Sequence, residues 1–247
     1  MRRAARASAA LVASLGIALI GAAWADPPPD AAPGQPDLTG VWFIVSPPHA
    51  LRTTDGSLPP LTPAARRIYQ QHLAEAGRGD RAAFDGMTRC LPPGLPRLML
   101  VDEPFEILQR PKVIYFISQL NRLPRRAYVD EKLPDDPDPL WLGYSVAHWD
   151  RGTLVVDSAG FNDETVLDDS GLPHSEALHL TERYRLSRDG RHLSAEFHID
   201  DPKSYTRPWT AKAQYIRRPG YEIPEEVCMD NPAKRRAAMR ATESAVH

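Results

Sequence analysis

The sequence predicts a mainly β protein whose strands form an antiparallel meander that closes as a lipocalin-like barrel or half-barrel. One N-terminal helix and a short C-terminal helix complete the predicted fold. Two observations lead there: short segments rich in β-branched and aromatic residues follow one another, and turn signals such as Asp189-Gly190 join them. About eight strands would close on themselves and so remove the exposed sheet edges. An open sandwich is the alternative architecture.

The first 25 residues are typical of a Sec signal peptide. Basic residues near the start precede an apolar run over about residues 9–22, and the sequence Ala23-Trp24-Ala25 predicts cleavage after Ala25. That run is too short for a comfortable membrane span, so we expect a periplasmic or secreted protein without an integral membrane segment. Residues 26–36 read as an extended Pro-rich linker.

A single domain is predicted over residues 37–230, and its first strand covers residues 37–42. Thr62-Pro63 is a helix start, with an N-cap threonine and a proline at the first helical position. The helix should run to about Ala76 and lie on the surface of the sheet, because its apolar pattern is thin. Asn231-Pro232 then begins the short helix predicted in the basic tail, residues 231–247.

The remaining strands are predicted from short β-branched and aromatic runs. An acidic, Pro-rich loop over residues 131–140 interrupts them, and two hairpins follow it. The predicted strands cover residues 105–108, 113–120, 125–130, 143–150, 153–158, 177–186, 192–199 and 209–217.

Charge and cysteine content exclude some classes of function. The formal net charge is −2, and no basic face long enough for nucleic acid is present. The two cysteines, Cys90 and Cys228, lie far apart in the chain. In an oxidising compartment we expect them to form one disulfide; a free nucleophilic cysteine is the alternative.

Glu182 is the first candidate catalytic residue. With a period of two, it shares a face with Leu178, Leu180, Tyr184 and Leu186, and this apolar face should point inward. A lone carboxylate among leucines is costly, so Glu182 must pair with a cation such as Arg126, be protonated, or line a wet cavity. Burial would raise the pKa of Glu182 and suit it to acid or base catalysis.

His174 is the second catalytic candidate, since it lies in a loop before that strand and two residues from Glu176. His148 could pair with Asp157 if both side chains enter one cavity, or be a satisfied core or rim histidine. We expect no metal and no cofactor, because the chain lacks H-E-x-x-H, C-x-x-C or a carboxylate cage.

The candidate ligand-binding residues share either an inward position or a place at a corner of the barrel. Tyr205 and Trp209 could wall a pocket at a stiff corner, and either Arg125 or Arg126 could hold an anion, because neighbours on a strand face opposite ways. The full set is Arg126, His148, Asp157, Tyr184, Tyr205 and Trp209.

These residues also carry a resemblance to a group of exported bacterial proteins of unknown function. The shared segments match DLTGVW, CLPPGLPR, RRAYVD, GYSVAHWDRGTLVVDSAGFND, PHSEALHLTERYR, DDPKSYTRPW and EEVC-x-x-N of this chain. The central motif of the group is closer to G-H-S-x-G-R-W-E-G-D, from which Tyr144, Ala147, His148 and Arg151-Gly152 depart, and Glu131-Lys132-Leu133 replaces an Asp-Gly-Arg. The resemblance implies a shared architecture and site location but no activity. The positions that fit it are Asp157, Asn162, His174, Glu182, Arg183, Asp201, Tyr205 and Trp209.

Three functions are compatible with this sequence. The first is an exported barrel that binds a small, partly apolar molecule in its interior. The second is a cofactor-independent hydrolase, lyase or isomerase that uses Glu182 and His174 as acid and base. The third is a structural or interaction protein of the cell envelope whose buried charges are only ion pairs.

Overall fold

The computed structural model describes residues 35–228, which form a closed barrel of nine strands with one α-helix. Every strand segment predicted from the sequence is present, with ends that differ by at most three residues and coincide for the last strand. The predicted signal peptide and C-terminal helix lie outside the described residues. The strands are β1 Gly40–Ile44, β2 Phe105–Gln109, β3 Val113–Ser118, β4 Pro124–Val129, β5 Tyr144–Asp150, β6 Thr153–Ala159, β7 His179–Leu186, β8 His192–Asp200 and β9 Trp209–Arg217.

The strands follow one another around the barrel in chain order, and β1 pairs with β9 to close it. All neighbouring strands are antiparallel except β4 and β5, which run parallel. The expectation of a purely antiparallel meander was therefore wrong at this one position. The reason lies in residues 130–143, which return along the barrel before β5 begins, as a parallel connection requires.

The two ends of the barrel differ because the connections at each end differ in length. Tight turns at residues 110–112, 151–152 and 187–191 close one end. The long segments of residues 45–104, 160–178 and 201–208 cover the other, which we call the capped end.

Helix α1, Pro63–Gly77, begins where the sequence predicts, and Thr62 Oγ1 accepts a hydrogen bond from Ala65 N at 3.2 Å. The helix lies against the capped-end loops rather than on the sheet surface. Its His72 Nδ1 is 2.7 Å from the Gly171 carbonyl oxygen, and Tyr69 Oη is 2.7 Å from Ser170 Oγ. These polar contacts explain why its apolar pattern is thin: the helix is anchored mainly by hydrogen bonds.

Aromatic side chains fill much of the barrel interior. The Phe105 and Tyr215 rings meet edge to face at 5.1 Å, and the Phe116 and Tyr184 rings are 5.4 Å apart. On β7 the predicted alternation is confirmed, because Leu180, Glu182 and Tyr184 are fully buried. The centre of the barrel is thus a packed core rather than a wide open cavity.

The predicted disulfide is also present. Cys90 and Cys228 are bonded, with their Cα atoms 5.7 Å apart. Cys228 N donates to Asn121 Oδ1 at 3.2 Å, so the chain after β9 returns to the capped end. The bond closes a loop that contains almost the whole barrel.

Replacing both cysteines by serine should lower the free energy of unfolding, because the bond joins residues 138 positions apart and restricts the unfolded chain. The chain-entropy model gives an upper limit of about 5 kcal/mol. Urea unfolding followed by tryptophan fluorescence would measure the loss, and reduced wild-type protein should show the same loss. Equal stability of the serine variant and the oxidised wild type would contradict this prediction.

Candidate functional site

A buried polar cluster lies inside the barrel on strands β4 to β7. Glu182 has no exposed surface and the Arg125 side chain is 2% exposed. Arg125 Nη2 donates to Glu182 Oε2, and Tyr184 Oη donates to Glu182 Oε1 at 2.7 Å. The carboxylate that the sequence placed among leucines is therefore paired and hydrogen-bonded on both oxygens.

Two serines complete the cluster around the guanidinium. Arg125 Nε donates to Ser145 Oγ at 3.0 Å, and its Nη2 donates to Ser158 Oγ at 2.8 Å. The two hydroxyl oxygens are 2.9 Å apart, because Ser145 and Ser158 are direct cross-strand partners on β5 and β6. The Phe116 ring lies 5.3 Å from the guanidinium carbon and covers another side of it.

The protonation states of the cluster follow from burial and charge. Burial disfavours a charged guanidinium, but the facing Glu182 outweighs it and raises the pKa of Arg125 above its ordinary value. Burial, reinforced by the Glu182 charge, raises the pKa of Tyr184 well above its usual range. Tyr184 is thus a neutral donor to the carboxylate, beside a charged arginine.

One donor of the cluster has no partner. Arg125 Nη1 is buried and makes no hydrogen bond within residues 35–228. The other two nitrogens of Arg125 are engaged, so Nη1, which carries two N–H groups, is the one guanidinium nitrogen without a partner among these residues.

A surface pocket of about 320 Å³ opens next to this arginine, where β4 and β5 have not yet joined. The two strands pair only from Ala127 and Ser145 onward, so the residues before them are separated. Gly143 holds the bend at the start of β5: its φ is +60°, and a Cβ there would come within 2.7 Å of the Ala159 carbonyl oxygen. We call this the seam pocket. It is lined by Pro124, Arg125, Arg126, Tyr128, Leu140, Leu142, Gly143, Tyr144 and Ser145.

Arg126 lines the seam pocket from the outer face of the barrel. The arginine that points inward and pairs with Glu182 is its neighbour Arg125, so the suggested partner Arg126 was the wrong one of the two. On β4 the buried positions are Arg125, Ala127 and Val129. The side chain of Arg126 is exposed and makes no hydrogen bond or ion pair with the part of the chain described here.

His148 and Asp157 do not meet. Both lie on the outer face of the β5–β6 hairpin, but their Cα partners are Val155 and Val146, so they are displaced along the strands. Asp157 Oδ1 accepts from Thr181 Oγ1 at 2.7 Å and lies 3.9 Å from His179 Nε2. The structure thus brings Asp157 to β7 and leaves His148 exposed.

His174 is buried at the capped end, in the loop between β6 and β7. Its Nδ1 is 3.1 Å from the Ser175 carbonyl oxygen, which can only accept, and its Nε2 is 2.7 Å from Thr165 Oγ1. These partners fit a neutral ring with the proton on Nδ1 and a hydroxyl donor at Nε2. Burial lowers the pKa of His174 below its usual value, in line with a neutral ring. Neither nitrogen contacts Glu182.

The corner that holds Tyr205 and Trp209 also lies at the capped end. Their rings are 5.3 Å apart, and Tyr205 Oη donates to the Pro173 carbonyl at 2.8 Å. Asp201 accepts from Ser175 N and Ser175 Oγ, both at 2.7 Å. Burial alone would raise the pKa of Asp201, but these and neighbouring hydrogen bonds outweigh it and lower the pKa. The corner joins two loops and does not border the Glu182 cluster.

A charged network that was not predicted from the sequence lies beside a second pocket of about 310 Å³ at the capped end. Arg97 binds Asp85 through two hydrogen bonds of 2.7 and 2.8 Å, and its Nη2 also donates to Asp169 Oδ1 at 3.1 Å. His49 Nδ1 lies 2.7 Å from Asp169 Oδ2. Burial would raise the pKa of Asp85, but Arg97 outweighs it and lowers the pKa. These segments are distant in sequence and meet only in the closed barrel, so no sequence motif predicts the network.

Residues 35–228 hold no group of three or more His, Cys, Asp or Glu side chains placed to bind a metal ion. Over the same range, no helix is long and apolar enough to cross a membrane.

No model of a known protein family matches this chain, and no curated protein proved similar to it.

Glu182→Gln should lower the free energy of unfolding by about 3–5 kcal/mol, because it leaves the Arg125 charge buried without a counter-charge. The double variant Arg125→Met/Glu182→Gln removes that charge and should recover most of the loss, while the glutamine oxygen still accepts from Tyr184. Urea unfolding of wild type, both single variants and the double variant gives the coupling energy. Additive losses would show that the pair is not coupled.

Acidification below about pH 6.5, the ordinary histidine value, should destabilise the protein through His174. The pKa of His174 is lower in the folded protein than in the unfolded chain, so the unfolded chain takes up a proton first on acidification. The free energy of unfolding therefore decreases as the pH falls from the unfolded-state pKa toward the folded-state pKa. Urea unfolding at pH 7.5 and 5.5 should show a smaller loss in His174→Gln than in wild type. His198→Gln, at an exposed position on β8, is the matched control and should keep the full loss. An identical loss in His174→Gln would contradict the assignment.

Proposed function

We propose that this protein is an exported, lipocalin-like barrel that binds a small, partly apolar molecule, and that the seam pocket holds the ligand. Its volume of about 320 Å³ lies at the lower end of the range of small-molecule sites. Its walls are largely apolar, formed by Tyr128, Leu140, Leu142 and Tyr144, and its polar groups are few.

The observation that carries this proposal is an unpaired cation beside an apolar surface pocket. Arg126 lines the pocket, is exposed, and makes no hydrogen bond or ion pair with residues 35–228. Apolar walls with a few polar groups are typical of small-molecule sites.

The ligand site differs from the interior site that the sequence suggested. Tyr184 belongs to the cluster behind the pocket, and aromatic rings fill the barrel next to it. Tyr205 and Trp209 pack at the capped end. Of the predicted ligand-binding residues, Arg126 is the one that borders the seam pocket.

The catalytic alternative has weaker support at Glu182 and His174. A general base needs a lone pair that can reach the substrate, and both oxygens of Glu182 and both nitrogens of His174 already have partners in the protein. The arrangement that most favours an enzyme is instead the exposed His49, oriented by Asp169 beside the capped-end pocket. Loss of a hydrolytic activity in His49→Gln would support that alternative.

Export is supported by the signal-like start of the sequence and by the disulfide, which is typical of proteins in oxidising compartments. The structural alternative, an envelope protein without a ligand, predicts that no small molecule binds the seam pocket.

The proposal predicts that small amphipathic compounds shift the amide NMR signals of Gly143, Tyr144 and Ser145. A screen of a chemically diverse set of such compounds against ¹⁵N-labelled protein would test this. Leu140→Glu should abolish the shifts, because it replaces part of the apolar wall by a charged group.

Leu58→Glu is the matched control, since Leu58 is an exposed leucine outside the pocket, and it should bind as wild type does. If no compound moves these signals at millimolar concentration, or if Leu140→Glu binds normally, the proposal is wrong.

A further inference from the structure

We propose that the ligand of the seam pocket is a small organic acid, whose carboxylate binds Arg126 and whose apolar body lies on the tyrosine and leucine walls. This inference rests on the proposed function and adds the chemical class of the ligand to it. Two observations carry it: the unpaired charge of Arg126, and the absence of carboxylates from the pocket lining.

Arg126 determines the charge of the ligand. Glu182 already balances the charge of Arg125, whereas Arg126 has no ion-pair partner among residues 35–228. The residues that line the pocket include both arginines and no aspartate or glutamate. The site therefore carries one unbalanced positive charge, which favours an anion.

The shape of the pocket determines the rest of the ligand. Tyr128 and Leu140 are 44% and 41% exposed, which leaves their surfaces free for contact. Together with Leu142 and Tyr144 they face the same small volume. A ring-sized apolar body fits this volume better than a long acyl chain, and a planar carboxylate matches the fork geometry of a guanidinium.

Three probes that share one body and differ in one group test the inference: 3-phenylpropionate, 3-phenylpropanamide and 3-phenylpropylamine. Each is titrated at neutral pH into ¹⁵N-labelled full-length protein, and the dissociation constant is read from the Gly143 and Tyr144 amide signals. The acid should bind at least about tenfold more tightly than the amide, a difference of about 1.4 kcal/mol, and the amine should bind most weakly.

Arg126→Gln should reduce the preference for the acid over the amide to about threefold or less, because it removes the unbalanced charge. Arg185→Gln is the matched control: it removes an exposed arginine from the outer face of β7, outside the seam pocket, and should leave the preference unchanged. Both substitutions are at exposed positions and should leave the fold intact, unlike changes at Arg125.

The outcomes separate this inference from the proposed function. If acid and amide bind equally at the seam pocket, or if the full acid preference survives Arg126→Gln, the inference is overturned while ligand binding there stands. Tighter binding of the amine would also overturn it. If none of the three probes, nor any compound of the wider screen, moves the seam signals, both proposals fail.

Discussion

The buried ion pair between Arg125 and Glu182 is the interaction on which the arrangement of this barrel depends. A carboxylate at the centre of a hydrophobic core is tolerated only with a counter-charge and full hydrogen bonding, and here the partners come from β4, β5, β6 and from β7 itself. A one-residue slip of any of these strands would turn its polar group to the opposite face. The cluster therefore fixes the register of four neighbouring strands, whether or not the pair adds to stability.

The seam pocket lies at the one parallel strand pair of the barrel. Of the two pockets described above, it is the one that residues of this cluster line. Antiparallel neighbours joined by tight turns pair along nearly their full length, as β7 and β8 do. The strands β4 and β5 are joined by a long return segment instead, and they share only three paired positions. Where they are still apart, the barrel wall is open, and the open place lies beside Arg125. The departure from a simple meander thus creates the candidate site.

Much of the fold could be predicted from local sequence, because strands, hairpins and the start of the helix are specified by neighbouring residues. Alternation on β7 was enough to place Glu182 inside. Alternation could also have chosen Arg125 over Arg126, since Ala127 and Val129 share the face of Arg125, whereas Tyr128 and Asp130 share that of Arg126. The parallel pairing and the network of His49, Arg97 and Asp169 could not be predicted, because they depend on how distant segments meet once the barrel closes.

The chemistry of the one unpartnered group in the buried cluster tells more about function than the fold does. Glu182, which could take a proton, has both oxygens occupied, and Tyr184 is held neutral. What remains is Nη1 of Arg125, which carries two N–H donors of a group that in a protein is always charged and does not give up its proton. Such a group cannot act as a general base. The cluster therefore offers no proton acceptor beside the seam pocket, which supports the proposal of ligand binding there over the proposal of catalysis at Glu182.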